Sequence, residues 1–505
     1  MSRGIAAKIK IEGCLAAGAP VSVGGVGAGD MVDIDLAVDG QGRYYIPGSS
    51  IAGPMRSWTE TNLTADVNGE SLDGSDIADK LFGYMKKNKG DKEGYASFLA
   101  VDDAVALCEP SARERRHGIS IEESSGTAKK HFFYTRALLP KGTRFDFSME
   151  LDVTQGGKEL AKGAMKEIIR ALSDGEIRFG SCKTSGFGTM RLESESLKVN
   201  FYDFSISGEL DKWLGNEPSG SCGLAVLESN AGQGIVERVR NDRYKIEIKW
   251  APVSRIMVKS GRDGIATDML PLVSNISGKI SPVIPGTSIK GVLRAQARRI
   301  MRTIFGQSPE NDEEKYLCIV DDMFGDENRS GRIFVEDVYL ASPTNISPDE
   351  WIREDECKLN EFTIHEDHVA IDRFTGGASV SALFSARPVP RTLHQRDERT
   401  RRILPERGRE ICWEPIKITI DFTSRTNAPC GGLHLAELAL LELVIRDMRN
   451  GLVPIGFGTN RGFGDLEIND VDWMPSHPHE EMKKAWTEFI EVTNHGTNTD
   501  GTIVS

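Results

Sequence analysis

The feature that most constrains the fold of this 505-residue chain is an internal duplication. The segment Tyr45–Arg56 returns as Val283–Arg294, with Ile-Pro-Gly, a hydroxyl residue and a serine at the same places. A second motif, Asp79–Gly83, returns as Asp321–Gly325, and the offset between matching residues grows along the chain. Chance similarity could produce one short repeated motif, but not several motifs that recur in the same order. The sequence therefore predicts one fold unit built twice, with extra loop residues in the second copy.

A glycine-rich loop is the third repeated landmark, at Phe179–Gly188 and again at Ile455–Gly464. Each loop follows a predicted helix and precedes a predicted strand, which is the reverse of the dinucleotide-binding fingerprint. We therefore expect no small-molecule cofactor. Glycines beside aromatic residues let the main chain approach a sugar-phosphate backbone, with Lys183 or Arg461 supplying charge. A purely structural turn is the alternative interpretation of both loops.

The composition is typical of a soluble protein, and we expect it in the cytoplasm. Hydrophobic residues make up 39% of the chain, and the longest apolar helix, near 435–445, is too short to span a membrane. Eight cysteines without paired spacing, and an N-terminal segment without an apolar core, predict free, mostly buried thiols in a reducing compartment. The net charge of -13 argues against indiscriminate nucleic-acid binding, so any RNA must contact local basic tracks.

Each copy predicts an α+β unit with the order strand, helix, strand, strand, helix, strand, which is ferredoxin-like. The first helix follows the Ile-Pro-Gly turn, where the hydroxyls of Ser49, Ser50, Thr287 and Ser288 are expected to cap its exposed N–H groups. The predicted boundaries are 1–214 for the first domain, 215–242 for a linker, 243–475 for the second domain, and 476–505 for a C-terminal helix and flexible tail.

Together these motifs resemble the repeat-associated mysterious protein (RAMP) superfamily, and most closely the backbone subunits of type III CRISPR effector complexes. The likeness runs from about Ile5 to Ile468, and the two-copy form resembles the fused double backbone (Cas seven-type) subunit of type III-D systems. It implies two tandem RAMP domains, each a modified RRM-like core with an inserted thumb hairpin. The implied partners are guide RNA (crRNA), target RNA and other CRISPR effector subunits, in antiviral defence.

The resemblance also implies that an aspartate in the loop before Ile-Pro-Gly cuts bound target RNA. Alignment on the following aliphatic residues assigns this role to Asp35 and Asp268, and Asp33 lies near enough to share the site. A carboxylate can hold a divalent ion, here expected to be Mg²⁺, or help to deprotonate a ribose 2′-hydroxyl. We therefore expect a metal-dependent endoribonuclease with Asp35 and Asp268 as metal ligands. Turn aspartates without a catalytic part are the alternative.

Two further groups of residues are expected to contact RNA. Ile121 and Ile371, in the predicted thumb hairpins 117–136 and 368–387, would wedge between bases, unless they are ordinary core residues. The predicted guide-binding residues lie at the helix starts, on the first helix of each copy and in the glycine loops: Ser49, Ser50, Arg56, Ser288, Lys290, Arg294, Lys183, Gly186, Gly188, Arg461, Gly462 and Gly464. Copy one has Ala52 in place of Lys290, so that contact is not expected there.

Two other functions stay open at this point. One is a non-catalytic crRNA-binding scaffold subunit with the same fold. The other is a metal-independent crRNA-processing endoribonuclease, in which His117 and His368 would act as acid and base, although each also fits a surface histidine. Metal-dependent cleavage would distinguish target cleavage at the aspartates from metal-independent crRNA processing. A variant that loses cleavage but keeps its guide would distinguish target cleavage from a scaffold role.

Overall fold

The computed structural model describes residues 4–25, 32–67, 70–85, 94–108, 113–122, 127–228, 235–239, 243–261, 264, 267–306, 313–342, 344–353, 356–396, 403–422, 434–476 and 478–495. The predicted tail beyond 495 lies outside these residues. The packing divides the chain into two compact units. Unit one comprises Met1–Arg116, Tyr134–Lys183 and Phe187–Asp242, and unit two comprises His117–Phe133, Thr184–Gly186 and Arg243–Ser505.

The first copy of the duplication forms twelve strands and four helices among the described residues. In chain order they are β1 (Ile5–Ala17), β2 (Tyr45–Ile46), α1 (Gly48–Asn62), β3 (Leu63–Val67), β4 (Glu70–Leu72), α2 (Gly74–Phe82), β5 (Leu99–Val101), β6 (Ala104–Val105), β7 (Glu114–Ile121), β8 (Ala128–Leu138), β9 (Arg144–Thr154), α3 (Lys158–Ser173), β10 (Met190–Leu192), β11 (Lys198–Asp203), α4 (Glu209–Leu214) and β12 (Ile235–Arg238).

The second copy adds the remaining described elements. They are β13 (Arg243–Pro252), β14 (Arg255–Ile256), β15 (Val273–Ile276), β16 (Lys279–Ile284), α5 (Gly286–Phe305), α6 (Glu313–Phe324), β17 (Ile333–Val335), β18 (Val338–Tyr339), α7 (Pro348–Ile352), α8 (Glu356–Leu359), β19 (Glu366–Ile371), β20 (Ala378–Ala386), β21 (Val389–Pro390), β22 (Thr392–Arg396), β23 (Ile403–Glu410), β24 (Ile416–Asp421), α9 (His434–Arg449), β25 (Leu466–Met474) and α10 (His479–His495).

The main sheets of the two copies have the same strand order. In copy one the order is β10-β1-β9-β5, with β11 also pairing with β1, and all neighbours are antiparallel. In copy two the order is β25-β13-β24-β17, again antiparallel throughout. The opening strand of each copy therefore lies inside its sheet, and the strand that follows the glycine loop pairs with it. This correspondence confirms the predicted duplication and the mixed α/β character.

Amphipathic helices cover these sheets and form the core of each unit. The buried residues of α1 include Ile51 and Met55, and the matching residues Ile289 and Leu293 are buried in α5. The second predicted helix of each copy is present as α3 and α9. The C-terminal helix α10 is rich in charged residues, yet one side of it packs on unit two. Met482 and others of its apolar residues belong to the core of that unit.

The start of the first helix differs from its prediction in both copies. Neither α1 nor α5 has a side-chain cap, so the expected capping by the serine and threonine hydroxyls is wrong. Instead the Gly48 N–H donates to Asp103 Oδ1 at 2.8 Å, and the Gly286 N–H donates to Asp337 Oδ1 at 2.8 Å. A carboxylate suits this place because the helix N-terminus presents unpaired N–H groups and a positive dipole end.

Part of the segment predicted as a linker, 215–242, is built into unit one. Strand β12 pairs with β3, and Leu227 is fully buried in the core. Residues 229–234 and 240–242 of the segment lie outside the described part of the chain.

The cysteines also differ from their prediction. Cys318 is disulfide-bonded, while the free thiols of Cys222 and Cys412 are exposed and that of Cys14 is buried. The expectation of free thiols holds for Cys14, Cys108, Cys182, Cys222 and Cys412 but not for Cys318, and the expectation that the thiols are mostly buried is wrong. No helix among the described residues is long and apolar enough to cross a membrane.

Candidate functional site

In copy one, the aspartate loop is joined to the return strand of a β-hairpin. The Thr135 N–H, in β8, donates to Asp33 Oδ2 at 2.7 Å. The main-chain N–H groups of Asp33 and Ile34 both donate to the Thr135 carbonyl, at 3.0 and 3.2 Å, and the Ala137 N–H donates to the Ile34 carbonyl at 2.9 Å. Ile34 and Arg136 thus form a parallel bridge, and the exposed Asp33 lies at the base of the hairpin.

In copy two, Asp268 has the same arrangement. The Ser385 N–H, in β20, donates to Asp268 Oδ2 at 2.8 Å, and the Ser385 hydroxyl lies 3.1 Å from the same oxygen. The Met269 N–H donates to the Ser385 carbonyl at 3.1 Å, and the Arg387 N–H donates to the Met269 carbonyl at 3.0 Å. Met269 and Ala386 form the parallel bridge, and Asp268 is exposed.

These hydrogen bonds correct the alignment of the two aspartate loops. Asp33 and Asp268 hold equivalent places. Each carboxylate accepts a main-chain N–H of the return strand, and the strand residue two positions later donates its N–H to the carbonyl of the residue after the aspartate. Further along, the Gly25 N–H donates to the Asp35 carbonyl at 3.1 Å, as the Ser260 N–H donates to the Leu270 carbonyl at 2.8 Å. The counterpart of Asp35 is therefore Leu270, and the pairing of Asp35 with Asp268 is wrong.

The carboxylate of Asp35 already has partners within its own unit. Its Oδ1 accepts the Leu36 N–H at 2.8 Å and lies 3.2 Å from Arg113 Nη2, and its side chain is only 12% exposed. An aspartate in the place of the buried Leu270 needs such a partner, since an unpaired carboxylate is costly to bury. Asp35 therefore presents less carboxylate surface to a ligand than Asp33 or Asp268 does.

The surroundings of Asp268 favour its charged form. Hydrogen bonds from the Ser385 main chain and then its hydroxyl lower the pKa of Asp268, and the nearby Lys259 ammonium lowers it further. No group of three or more His, Cys, Asp or Glu residues in the described part of the chain could hold a metal ion. A lone carboxylate still fits Mg²⁺, which protein sites commonly bind through one or two carboxylates together with substrate phosphates and water.

The two predicted thumb hairpins are both present, as β7 with β8 and as β19 with β20. Ile121 and Ile371, near their tips, are each 58% exposed, so neither is an ordinary core residue. Other large apolar side chains of the hairpins are also exposed: Ile119, Phe132, Phe133, Tyr134, Val369, Phe374, Val380 and Leu383. Exposed apolar clusters of this kind mark interaction surfaces.

A histidine stacks on a phenylalanine near the base of each hairpin. The ring centroids of His117 and Phe133 are 5.1 Å apart, and those of His368 and Phe384 are also 5.1 Å apart. In copy two, the guanidinium of Arg461, in the glycine loop, lies 4.8 Å from the Phe384 ring centroid. The glycine loop and the hairpin of copy two therefore share one aromatic cluster.

The chain matches the RAMP superfamily model over residues 17–191 and 274–467, which together span most of its length. It belongs to the RAMP superfamily. The two matched regions correspond to the two copies of the duplication. The first contains the aspartate loop of copy one, and the second begins a few residues after Asp268. RAMP membership points to a CRISPR-associated subunit that binds RNA and other Cas subunits. The comparison with curated proteins found no match.

The glycine loops of the two RAMP regions have the same backbone. The Phe179 N–H donates to the Gly188 carbonyl at 2.8 Å, and the Ile455 N–H donates to the Gly464 carbonyl at 3.0 Å. A Cβ at Gly188 or Gly464 would lie 2.0 or 2.1 Å from the carbonyl oxygen it faces, so these closing glycines have a structural role. Both, like Gly186, are buried, whereas Gly462 is exposed with open space around it.

The cations of these loops are not alike. Arg461 is exposed and makes no ion pair with the described residues. Lys183 is half-buried, and this burial lowers its pKa. Arg461 is therefore the better placed of the two for contact with a phosphate.

The basic residues of the first helices are mostly engaged inside the RAMP units. Lys290 is buried, 8% exposed, and its Nζ donates to the Ile333 carbonyl at 3.2 Å, so the prediction that it faces RNA is contradicted. Arg294 Nη2 lies 2.8 Å from Asp321 Oδ1, and Arg56 pairs in the same way with Asp79. These equivalent ion pairs join the first helix of each copy to the next.

The helix-start serines differ from these basic residues. Ser49 is exposed, and Ser50 and Ser288 are half-buried, so the first turn of each helix remains reachable from solvent.

Several residues of this site were not found by sequence reasoning. Ser385 and Thr135 were overlooked because they contact aspartates 117 and 102 positions away. Asp103 and Asp337 end the repeated strand motifs, and their recurrence was a signal that they act in the fold. The repeat gave no sign of Lys259, because the matching bridge position in copy one is occupied by a glycine, Gly24.

Proposed function

We propose that this RAMP protein is a double backbone subunit of a type III, type III-D-like, CRISPR effector, and that it cleaves target RNA paired with the bound crRNA. The observation that carries the proposal is the repeated geometry of Asp33 and Asp268. Each is an exposed carboxylate tied to the return strand of a hairpin whose apolar tip is exposed. Asp33 replaces Asp35 as the catalytic aspartate of copy one in this proposal.

The chemistry needs a carboxylate beside a distorted phosphodiester. With Oδ2 held by the return strand, the other oxygen of Asp268 accepts no hydrogen bond from any other described residue. That oxygen would hold Mg²⁺ together with RNA phosphates, or accept the proton of a ribose 2′-hydroxyl. The 2′-oxygen then attacks the adjacent phosphorus and the 5′-oxygen leaves. Ionisation of the aspartate at neutral pH suits either role.

Guide binding is proposed for the surfaces that stay open in the structure. They are the helix-start serines Ser49, Ser50 and Ser288, the exposed Arg461 and Gly462, and the hairpin tips. Ile121 and Ile371 would insert between bases and splay the strand, which brings the 2′-hydroxyl into line with the phosphate. The strand order of the two sheets supports a modified ferredoxin-like, RRM-like core in each RAMP domain.

The test is cleavage of a labelled RNA complementary to the guide, by the guide-loaded complex, with magnesium or with a chelator. We expect Asp33→Asn and Asp268→Asn each to remove one distinct product, and the double variant to remove both, with guide still bound. Asp35→Asn is the matched control and should keep all products. The chelator should stop cleavage while leaving the guide in place.

Other outcomes point to the remaining functions. Unchanged cutting by the double variant would make the chain a crRNA-binding scaffold and assign the cleavage to a partner subunit. Cleavage that persists in chelator and is lost in His117→Ala or His368→Ala would favour the metal-independent processing endoribonuclease. Loss of a product in Asp35→Asn, with Asp33→Asn active, would return the catalytic role in copy one to Asp35.

A further inference from the structure

The two proposed catalytic aspartates are not held in the same way, and the difference lies in Ser385. Its main-chain N–H donates to Asp268 Oδ2 at 2.8 Å, as the Thr135 N–H does to Asp33 in copy one. In addition, the Ser385 hydroxyl lies 3.1 Å from Asp268 Oδ2 and also accepts the Asp268 main-chain N–H at 3.1 Å.

The Ser385 hydroxyl therefore bonds Asp268 at two places. A serine hydroxyl has one proton and two lone pairs, and here the proton goes to the carboxylate while a lone pair takes the main-chain N–H. The carboxylate cannot rotate without breaking these bonds. Its second oxygen is therefore held in one direction. Hydrogen bonds to a charged acceptor are stronger than neutral ones, so the hydroxyl also stabilises the ionised form.

We propose that Ser385 is a positioning residue for Asp268, which holds one carboxylate oxygen so that the other is aimed at the RNA. The inference rests on the proposed cleavage function and deepens it at one of the two sites. Because Ser385 lies on the return strand of the hairpin, any movement of that strand when RNA is gripped also moves the carboxylate. Asp268 is thereby coupled to engagement of its own hairpin.

The experiment compares wild type, Ser385→Ala and Ser385→Thr in the guide-loaded complex, with target cleavage followed as a function of pH. In Ser385→Ala, the product assigned to Asp268 should form about tenfold more slowly, as expected for loss of a hydrogen bond to a charged group. The acidic limb of its pH–rate profile should move to higher pH, because the carboxylate is then easier to protonate. Ser385→Thr keeps the hydroxyl and should restore both properties.

The product assigned to Asp33 is the internal control, and it should form at the wild-type rate in both variants. An equal fall in both products, or a slower Asp268 product whose acidic limb does not move, would overturn the inference and leave Ser385 with a merely structural part. Target affinity, measured with uncleavable RNA, should not change, since Ser385 is not proposed to touch RNA.

A second readout separates this inference from the proposed function. If the wild-type complex cuts no target, the proposed function fails, and the carboxyl titration of Asp268 decides the positioning role. That titration follows the side-chain ¹³C signal of labelled aspartate, assigned by its loss in Asp268→Asn, from neutral pH down to acid unfolding. The signal should shift at higher pH in Ser385→Ala than in wild type or Ser385→Thr. Identical titrations in all three proteins would refute the inference.

Discussion

At the scale of single residues, a charge has a role only once its partners are known. Arg294 and Arg461 are both repeat-associated arginines, yet Arg294 pairs with Asp321 while Arg461 lies exposed over an aromatic ring. Counterion release on RNA binding requires a cation that can reach a phosphate. An arginine that is already paired with a carboxylate contributes less to that release than an unpaired one.

This difference gives a paired prediction. Arg461→Ala should weaken guide binding and reduce the slope of log affinity against log salt by about 0.7, the value for one phosphate contact with single-stranded nucleic acid. Arg294→Ala should change affinity less and cost at most about 1 kcal/mol in the free energy of unfolding, because the ion pair is partly exposed. Filter binding over a salt series and urea unfolding measure the two effects. A larger affinity loss in Arg294→Ala would contradict the assignment.

A buried ion pair in unit two gives a pH-dependent prediction. Glu437, in α9, pairs with Arg332, and both side chains are almost fully buried. Burial raises the pKa of Glu437 to about 7, although Arg332 opposes this effect. Because the pKa of Glu437 is higher in the folded protein than the unfolded value of 4.5, protonated Glu437 stabilises the fold. This contribution to the free energy of unfolding is complete below pH 4.5 and is lost as the pH rises through about 7.

The matching variant is Glu437→Gln, which keeps the shape of the protonated side chain. Relative to wild type, its free energy of unfolding should rise by about 3 kcal/mol between pH 4.5 and pH 8, by linkage. Urea unfolding of both proteins across this range measures the difference. Glu488→Gln is the control, since Glu488 is exposed and pairs only at the surface with Lys484. If the difference in free energy of unfolding between Glu437→Gln and wild type does not vary with pH, the pKa of Glu437 is not raised by burial.

At the scale of elements, close packing of the Ile-Pro-Gly turn explains why its glycine recurs. A Cβ at Gly48 would lie 2.1 Å from the Val101 carbonyl oxygen, and one at Gly286 would lie 2.3 Å from the Val335 carbonyl oxygen. These are main-chain atoms of the neighbouring strand, so they cannot move aside cheaply. The carboxylate that accepts the first helix N–H, from Asp103 or Asp337, lies two residues after the end of that strand.

Two glycines of α5 therefore predict opposite effects of one substitution. Gly286→Ala should destabilise the protein by about 3 kcal/mol or more, because the added methyl group overlaps the Val335 carbonyl. Gly291→Ala should stabilise it by up to about 1 kcal/mol, since a Cβ there meets nothing within 4 Å and alanine favours a helix. Thermal or urea unfolding of the two variants provides the comparison. Equal effects would mean that the turn adjusts freely to a side chain.

At the scale of the whole molecule, the net charge of -13 requires that RNA binding be local. We expect log affinity for a guide-length RNA to fall linearly with log salt, with a slope of about -0.7 for each phosphate neutralised. A handful of contacts in each copy should set the total slope. Titration of the labelled guide at several salt concentrations measures it, and an affinity independent of salt would count against RNA binding through phosphates.

Sequence reasoning alone recovered the repeat and the order of the main elements, although not the capping of the first helices. The duplication and the helices after each Ile-Pro-Gly turn follow from motifs and periodicity within short stretches of chain, whereas the two hairpins and the aspartate loop were implied by the resemblance to the RAMP superfamily. Such patterns survive because each element carries its own turn residues and its own buried face. The superfamily match to both halves agrees with this part of the prediction.

Only the tertiary structure decided which aspartate is the counterpart of Asp268, and which cations are already paired. Asp33 was distinguished from Asp35 by a hydrogen bond from Thr135, 102 residues away, and Lys290 was found buried against a distant carbonyl. Two aspartates separated by one residue share a face in a regular extended strand, so alternation in the sequence cannot tell which of them stays exposed. The partner that distinguishes them is supplied by packing, because hydrogen bonds between distant segments form only when the chain is folded.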